Sequence, residues 1–448
     1  MKRILILGAG LSSSSLISYL LDHSDKNQWK VVLGDISMEL AEKKINNHPN
    51  GKPIKFDIFD EQQRDNEISE ADLVISMLPA RMHFMAAEAC VRLGKNMITA
   101  SYVSDDIRKL DEEAKKKGLL LLNEIGVDPG IDHMSAMQII DRIKASGGVL
   151  KSFKSSTGGL VAPQHDNNPW NYKFTWNPRN VVLAGQGASK FLDNGRYKYI
   201  PYHKLFERTE NINVLDMGEF EVYANRDSLH YKDIYGLEDI ETLFRGTMRR
   251  PGFSKAWNVF VQLGMTDDSY KVHDSLNITY RDFINSYLEY HKTQDVPTKL
   301  SRYLGIEKDC EVMKKLEWLG IFESTKVDLP NASPAQILQR LLESKWSLEP
   351  GDKDMIVMQH LFQYELNNTT RQIKSSMVVK GIDTVHTAMS ITVGTPIAIA
   401  AELILNGEIN DVGVKIPINK GIYEPVLKKL ENYGIKFVEE KTTGDLPL

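Results

Sequence analysis

Through the first 125 or so residues, short apolar runs alternate with segments of helical periodicity. Arg3 to Leu7, Lys30 to Gly34, Leu73 to Met77, Asn96 to Thr99 and Leu119 to Leu122 predict strands. Leu11 to Leu21, His83 to Leu93 and Ser104 to Lys117 predict helices between them. Such alternation is the pattern of a doubly wound parallel sheet with right-handed crossovers. From Gly147 the texture turns to glycine, proline, asparagine and aromatic residues, which predicts a mixed sheet with long ordered loops. Helical periodicity returns between about Phe253 and Glu349, where Ser333-Pro334-Ala335 reads as an N-cap followed by proline at the first helical position. Met355 to Val379 alternates like two strands joined by Asn367-Asn368, and Thr395-Pro396 opens a helix to about Leu405. Lys441 to Leu448 is expected to fray.

The expected fold class is α/β. A Rossmann-type doubly wound parallel sheet occupies 1–125, a mixed α/β substrate and dimerisation domain 126–255 plus 350–400, and a helical insertion 256–349. Residues 401–448 are expected to pack back on the first domain. A chain of 448 residues fits about three units at roughly 150 residues each.

Composition narrows the function classes. A net charge of -5 gives no electrostatic footprint for nucleic acid or an anionic membrane, so an anionic substrate would need a local cluster of arginines. The most membrane-like stretch, Ile391 to Leu405, is interrupted by Pro396 and Glu402 and is shorter than the roughly 20 residues a span requires, which predicts no transmembrane helix. Lys2 and Arg3 precede an apolar run that stops at Gly8, too short for a signal-peptide core. Cys90 and Cys310 have no C-x-x-C spacing, which argues against a disulfide framework or zinc site, suggests a packing role for both, and fits a cytoplasmic setting. The absence of H-E-x-x-H, G-x-S-x-G and Walker sequences points to a metal-free dehydrogenase.

The first strand runs into Gly8-Ala9-Gly10-Leu11-Ser12-Ser13. Gly8 would permit a tight turn, Gly10 would let backbone approach a pyrophosphate, and the following helix would offer its N–H groups. Ser13 stands where a third glycine or alanine is usual and is small enough to keep helix and strand close. Asp35 lies 22 positions beyond Ser13, near the spacing of about 20 for the carboxylate that binds an adenosine ribose diol, which selects NAD and leaves NADP as the lesser option. Strand ends at Ser76-Met77-Leu78-Pro79, Thr99-Ala100-Ser101-Tyr102 and Asn123 to Gly130 should face the nicotinamide. Asp57 and Ile58 complete the candidate cofactor contacts. His133 is a candidate general base or a helix-start residue; His83, His360 and His386 lack metal-ligand spacing and read as structural.

Arginines stand beside turn formers in Asn225-Arg226-Asp227-Ser228 and in Arg245 to Gly252. A guanidinium can hold a carboxylate through two parallel hydrogen bonds, so the two clusters point to a substrate with several carboxylates.

The chain resembles the saccharopine dehydrogenase (L-glutamate-forming), or saccharopine reductase, family. Ser101-Tyr102-Val103-Ser104, the run NEIGVDPGIDH at 123–133, Thr157-Gly158-Gly159-Leu160-Val161-Ala162-Pro163, Asn168-Pro169 with Tyr172 to Trp176, and both arginine segments carry the resemblance. It implies NAD(P)-dependent oxidation of the secondary amine of saccharopine, hydrolysis of the imine to L-glutamate and 2-aminoadipate 6-semialdehyde, a place in lysine metabolism, and a homodimer. It also implies that Ser101, Tyr102, Asp128, Arg226, Thr247, Met248 and Arg249 contact substrate. Val127, Asp128, Pro129 and Thr175 would touch the cofactor, with Asp128 as first candidate for the base and Tyr102 as its relay. The family usually has serine at 175 and cysteine at 157, where this chain has threonine at both. Fungal members carry an arginine after the second strand, where Asp35 here would repel a 2'-phosphate. Two alternatives are a carboxynorspermidine-type dehydrogenase, which should favour acidic pocket residues, and a dinucleotide-binding regulator without turnover.

Overall fold

The computed structural model describes residues 1–443; Gly444 to Leu448, part of the tail expected to fray, lie outside the described residues. Lys441 to Thr443, by contrast, belong to the strand Val438–Thr443. The chain divides into two compact units, Met1–Val149 with Met377–Val438, and Leu150–Ser376 with the chain from Glu439.

In the first unit, β1 (Lys2–Leu7), β2 (Trp29–Asp35), β3 (Gly51–Lys55), β4 (Leu73–Ser76), β5 (Asn96–Ile98) and β6 (Leu120–Leu122) join Gly413–Lys415 in one sheet. The order is Gly413–Lys415, β6, β5, β4, β1, β2, β3, and the ladders are parallel. Ile4 to Leu7 are wholly buried, as expected of a parallel strand covered on both faces. Strand order reverses between β1 and β4, and ligands of such sheets bind beyond the carboxyl ends at that reversal. β3 gives no strand signal in the sequence, because Gly51-Lys52-Pro53-Ile54-Lys55 has no apolar run and a proline; as an edge strand it tolerates both.

By compactness the first unit continues past the boundary expected at 125/126, to Val149. The helix Ile131–Ala145 belongs to the first unit, where Tyr423 Oη of the helix Lys420–Leu430 donates to Asp141 Oδ2 at 2.6 Å.

The helix expected to open at Thr395-Pro396 starts earlier. It begins at Ala388 and runs to Leu405 with Pro396 inside it, because Thr387 caps it by accepting from Ser390 N at 3.0 Å. By length and hydropathy this helix could cross a membrane, yet 83% of it is buried inside the protein. It packs on α1 (Ser14–Asp22), with Ser390 Oγ accepting from Ser15 N at 2.9 Å. The approach is close at Gly394, where an added Cβ would stand 2.7 Å from Leu16 N. Gly394→Ala is therefore expected to destabilise the protein by about 1–3 kcal/mol, read as a lower Tm, with no space for the methyl to relax into.

In the second unit β7 (Val149–Val161) lies within a mixed sheet ordered Thr209–Asn213, Glu219–Ala224, Thr242–Arg249, β7, Asp354–Leu366, Thr369–Lys380, Val438–Thr443. Thr242–Arg249 is parallel to β7 and antiparallel to Glu219–Ala224. Asn367 and Asn368 both take positive φ in the turn between Asp354–Leu366 and Thr369–Lys380, as a type I′ hairpin requires. Helices fill 253–346, and Ser333 makes a capping box with Gln336 at the start of Pro334–Trp346. An aromatic cluster fixes the loop 168–176 to this helical segment: Trp170 lies 5.2 Å from Trp346 and 5.8 Å from Phe253. Phe174 N donates to Trp346 O at 2.7 Å, and Lys173 forms a buried ion pair with Asp352 at 2.6 Å.

Candidate active site

The turn after β1 has the shape a dinucleotide needs. Gly8 holds φ +108°, and a Cβ there would stand 2.7 Å from Met77 O, so only glycine fits between β1 and the end of β4. Above Gly10 there is open space, and neither Gly10 nor Ser13 caps the helical turn that follows it with a side chain, although Ser390 Oγ takes Ser15 N at the start of α1. Pyrophosphate can thus approach backbone N–H groups at the positive end of a helix. Ser13, at the third-glycine position, is buried and donates its hydroxyl to Gly10 O at 2.8 Å, which fixes the turn. Leu11 and Ser12 lie on the exposed side of that turn.

Asp35 ends β2 and accepts from Ala9 N at 2.7 Å through Oδ2 and from Ser37 N at 2.8 Å through Oδ1. One carboxylate therefore ties the glycine turn to the loop after β2, with a second lone pair left on each oxygen. Asp57 follows β3 and takes Phe59 N at 3.0 Å; Ile58 is a core residue. Met77 and Leu78 follow β4, while Thr99 is buried with its hydroxyl accepting from Ser101 N at 3.3 Å.

The loops after β5 and β6 are knitted together. Glu124 N donates to Ser101 O at 3.1 Å, Ile125 N to Thr99 O at 3.3 Å, and Val103 N to Glu124 Oε1 at 3.0 Å. Glu124 Oε2 pairs with His133 Nε2 at 2.9 Å, and both side chains are buried. His133 is thereby a brace behind the loop, not an accessible base. Gly126 N donates to Pro129 O at 2.9 Å, Ile131 N to Gly126 O at 2.9 Å, and Gly130 N to Asp132 Oδ1 at 2.6 Å. On this frame Asp128 is part-exposed, and Tyr102 Oη donates to Asp128 Oδ1 at 3.5 Å. That long contact is of the kind that tightens when substrate binds.

His83, expected to be structural because it lacks metal-ligand spacing, stands among the candidate site residues. As first residue of the helix His83–Leu93 it bridges Ser76 Oγ, 2.8 Å from Nδ1, and Ser101 Oγ, 2.6 Å from Nε2. Burial pulls its pKa down to about 4, and the helix N-terminus also disfavours the imidazolium. A signal existed in the hydroxyl residues at two adjacent strand ends flanking a helix-start histidine.

In the second unit, register places Thr247 opposite Tyr223 on one side and opposite Thr157 on the other. Arg249, two residues on, shares that face. Its guanidinium is buried, lies 5.0 Å from the Tyr172 ring and 5.4 Å from that of Phe253, and donates from Nη1 to Met248 O at 2.8 Å. Arg249 Nε, Thr157 Oγ1 and Thr175 Oγ1 are buried atoms with no hydrogen-bond partner among the described residues. Buried donors left this way are costly in a resting fold, and a ligand that supplies acceptors removes the cost. Met248 alternates to the opposite face and is wholly buried.

Arg226 stands at φ +48° in a turn pinned by Lys190 N donating to Arg226 O and Asn225 N to Arg245 O, both at 2.8 Å. The two other arginines of the second cluster are engaged elsewhere. Arg245 stacks 4.6 Å from the Tyr231 ring, and Arg250 stacks 4.3 Å from Phe220 while donating to Met217 O at 2.8 Å.

Two family models cover this architecture. Residues 4–122 match the saccharopine dehydrogenase NADP binding domain, and residues 126–435 match the saccharopine dehydrogenase C-terminal domain. The chain belongs to the saccharopine dehydrogenase family. Its dinucleotide half accordingly takes a nicotinamide cofactor, in keeping with the Gly8–Gly10 cradle. Saccharopine dehydrogenase [NADP(+), L-glutamate-forming] of Schizosaccharomyces pombe is 33% identical over 98% of this chain and 99% of that protein. The mitochondrial alpha-aminoadipic semialdehyde synthase of Bos taurus is 32% identical over 98% of this chain but only 48% of its own length. Among solved structures, apo saccharopine dehydrogenase (L-Glu forming) from Saccharomyces cerevisiae superposes with a TM-score of 0.89 at 30% identity, covering 99% of this chain and 100% of the other.

Proposed function

We propose that this protein is an oxidoreductase acting on a CH–NH donor, which oxidises the secondary amine of L-saccharopine and releases L-glutamate and 2-aminoadipate 6-semialdehyde. The observation that carries this reading is Arg249, a buried guanidinium with an unpartnered Nε, in a chain 33% identical over nearly its whole length to an L-glutamate-forming saccharopine dehydrogenase. Three carboxylates on saccharopine suit such a cation, whereas a polyamine substrate would bring like charge to it.

When bound, the nicotinamide serves as hydride acceptor. Gly8, Gly10 and the start of α1 would hold the pyrophosphate, with Val127, Pro129, Met77 and Leu78 of the same unit toward the nicotinamide end. Arg249, Arg226 and Thr247 hold substrate carboxylates, and Ser101 adds a hydroxyl. The substrate amine is protonated at neutral pH, so a base must take that proton before its carbon can give up hydride. Asp128 takes it, with Tyr102 fixed on Oδ1. The resulting imine carbon is attacked by water, and the C–N bond breaks to leave glutamate as the amine product.

NAD is the preferred cofactor on this reading, although the names of the fungal relatives give NADP(+). Asp35 supports it: the residues after β2 are Ile36-Ser37-Met38-Glu39, with no arginine for a 2'-phosphate. Saccharopine-dependent formation of reduced nicotinamide should show kcat/KM at least about tenfold higher for NAD than for NADP. An equal or higher efficiency with NADP contradicts the assignment to Asp35. A homodimer in a reducing, cytoplasmic setting completes the proposal, supported by the family resemblance and two unpaired cysteines.

A further inference from the structure

We propose that His83 is a positioning residue that orients the Ser101 hydroxyl as a hydrogen-bond donor toward a carboxylate of the substrate. This rests on the saccharopine reading above and adds a residue that touches no ligand.

The imidazole spans the carboxyl ends of two neighbouring strands. Ser76 closes β4, Thr99 and Ser101 follow β5, and His83 begins the helix that leaves β4. It is 2% exposed. A neutral ring has one N–H and one lone pair, so its tautomer decides what each neighbour does. Nδ1 faces two hydroxyls, Ser76 Oγ at 2.8 Å and Thr99 Oγ1 at 3.5 Å, while Nε2 faces only Ser101 Oγ at 2.6 Å. The Thr99 oxygen already accepts the Ser101 N–H, so its own proton is free to point at the ring. Two hydroxyl donors converging on Nδ1 favour the lone pair there and the proton on Nε2.

Nε2–H then donates to Ser101 Oγ, and the Ser101 proton must point away from the ring. The opposite tautomer would draw that proton inward and present only lone pairs to an anionic substrate. Ser76, buried and away from solvent, thus sets the polarity of Ser101 through the imidazole.

The test is a double-mutant cycle on His83 and Ser101, read by saccharopine KM and by calorimetric saccharopine affinity, with dinucleotide affinity and Tm alongside. His83→Asn removes the group facing Ser101 and is expected to weaken saccharopine about tenfold, with KM changing more than kcat. His83→Gln, whose amide reaches the Nε2 position, should restore most of the loss. In a Ser101→Ala background, His83→Asn should add nothing further for saccharopine. Independent effects of the two changes, or an equal loss of dinucleotide affinity, overturn the proposal. If His83→Asn does not fold, Ser76→Ala makes the same test, with about a threefold loss expected only when Ser101 is present; a loss that persists without Ser101, or none at all, overturns it. A wild-type protein that neither binds nor oxidises saccharopine defeats the functional reading itself, whereas an active wild type with independent effects defeats only the role of His83.

Discussion

Asp128→Asn is expected to lower kcat for saccharopine oxidation by about 10²–10⁴-fold while leaving saccharopine and dinucleotide affinity nearly unchanged. The substitution keeps the size of the side chain and its contact with Tyr102 Oη, and it leaves the backbone bonds of the 126–131 loop untouched. What it removes is the capacity to accept a proton. Hydride cannot leave the carbon beside a nitrogen that still carries its extra proton, so chemistry slows while binding persists. Steady-state kinetics combined with calorimetric affinities separate the two. A loss confined to affinity would reduce Asp128 to a contact for the substrate ammonium.

Arg249→Met should raise saccharopine KM by about 10²–10³-fold with little effect on dinucleotide affinity. Methionine fills much of the same space among Tyr172, Tyr223 and Phe253, so the fold should survive. The lost guanidinium leaves a substrate carboxylate desolvated without its partner. Arg249→Lys should recover little, because an ammonium cannot supply two parallel bonds. Arg226→Lys should also act on saccharopine far more than on dinucleotide, though less strongly, since Arg226 is less buried than Arg249. Equal losses for both ligands would contradict these assignments.

The parallel sheet was legible in the sequence because strands covered on both faces must be nearly all apolar, as Ile4 to Leu7 and Leu120 to Leu122 are. Edge strands escape that requirement, which hid Gly51–Lys55. Pro396 misled in another way: proline at a helix start and proline within a packed helix look alike when the contacts of α1 with Ala388–Leu405 are unseen. In the site, Gly8 and Gly10 were readable because one turn after β1 carries them, and Asp35 because it closes β2 at a fixed distance along the chain. The Glu124–His133 brace and the His83 bridge were not, since each depends on loops from different strands being brought side by side. Arginine clustering pointed to anion binding, but only the structure separates Arg249 from Arg245 and Arg250, which stack on Tyr231 and Phe220.

In the proposed reaction, hydride leaves the carbon on the aminoadipate side of the saccharopine nitrogen. Product analysis tests it most directly: saccharopine is incubated with purified protein and NAD, and the amino acids released are counted against reduced nicotinamide. One glutamate for each cofactor reduced, with an aldehyde as the other product, is the predicted result. Lysine and 2-oxoglutarate in its place would show that the other C–N bond is the one oxidised, and would contradict the account.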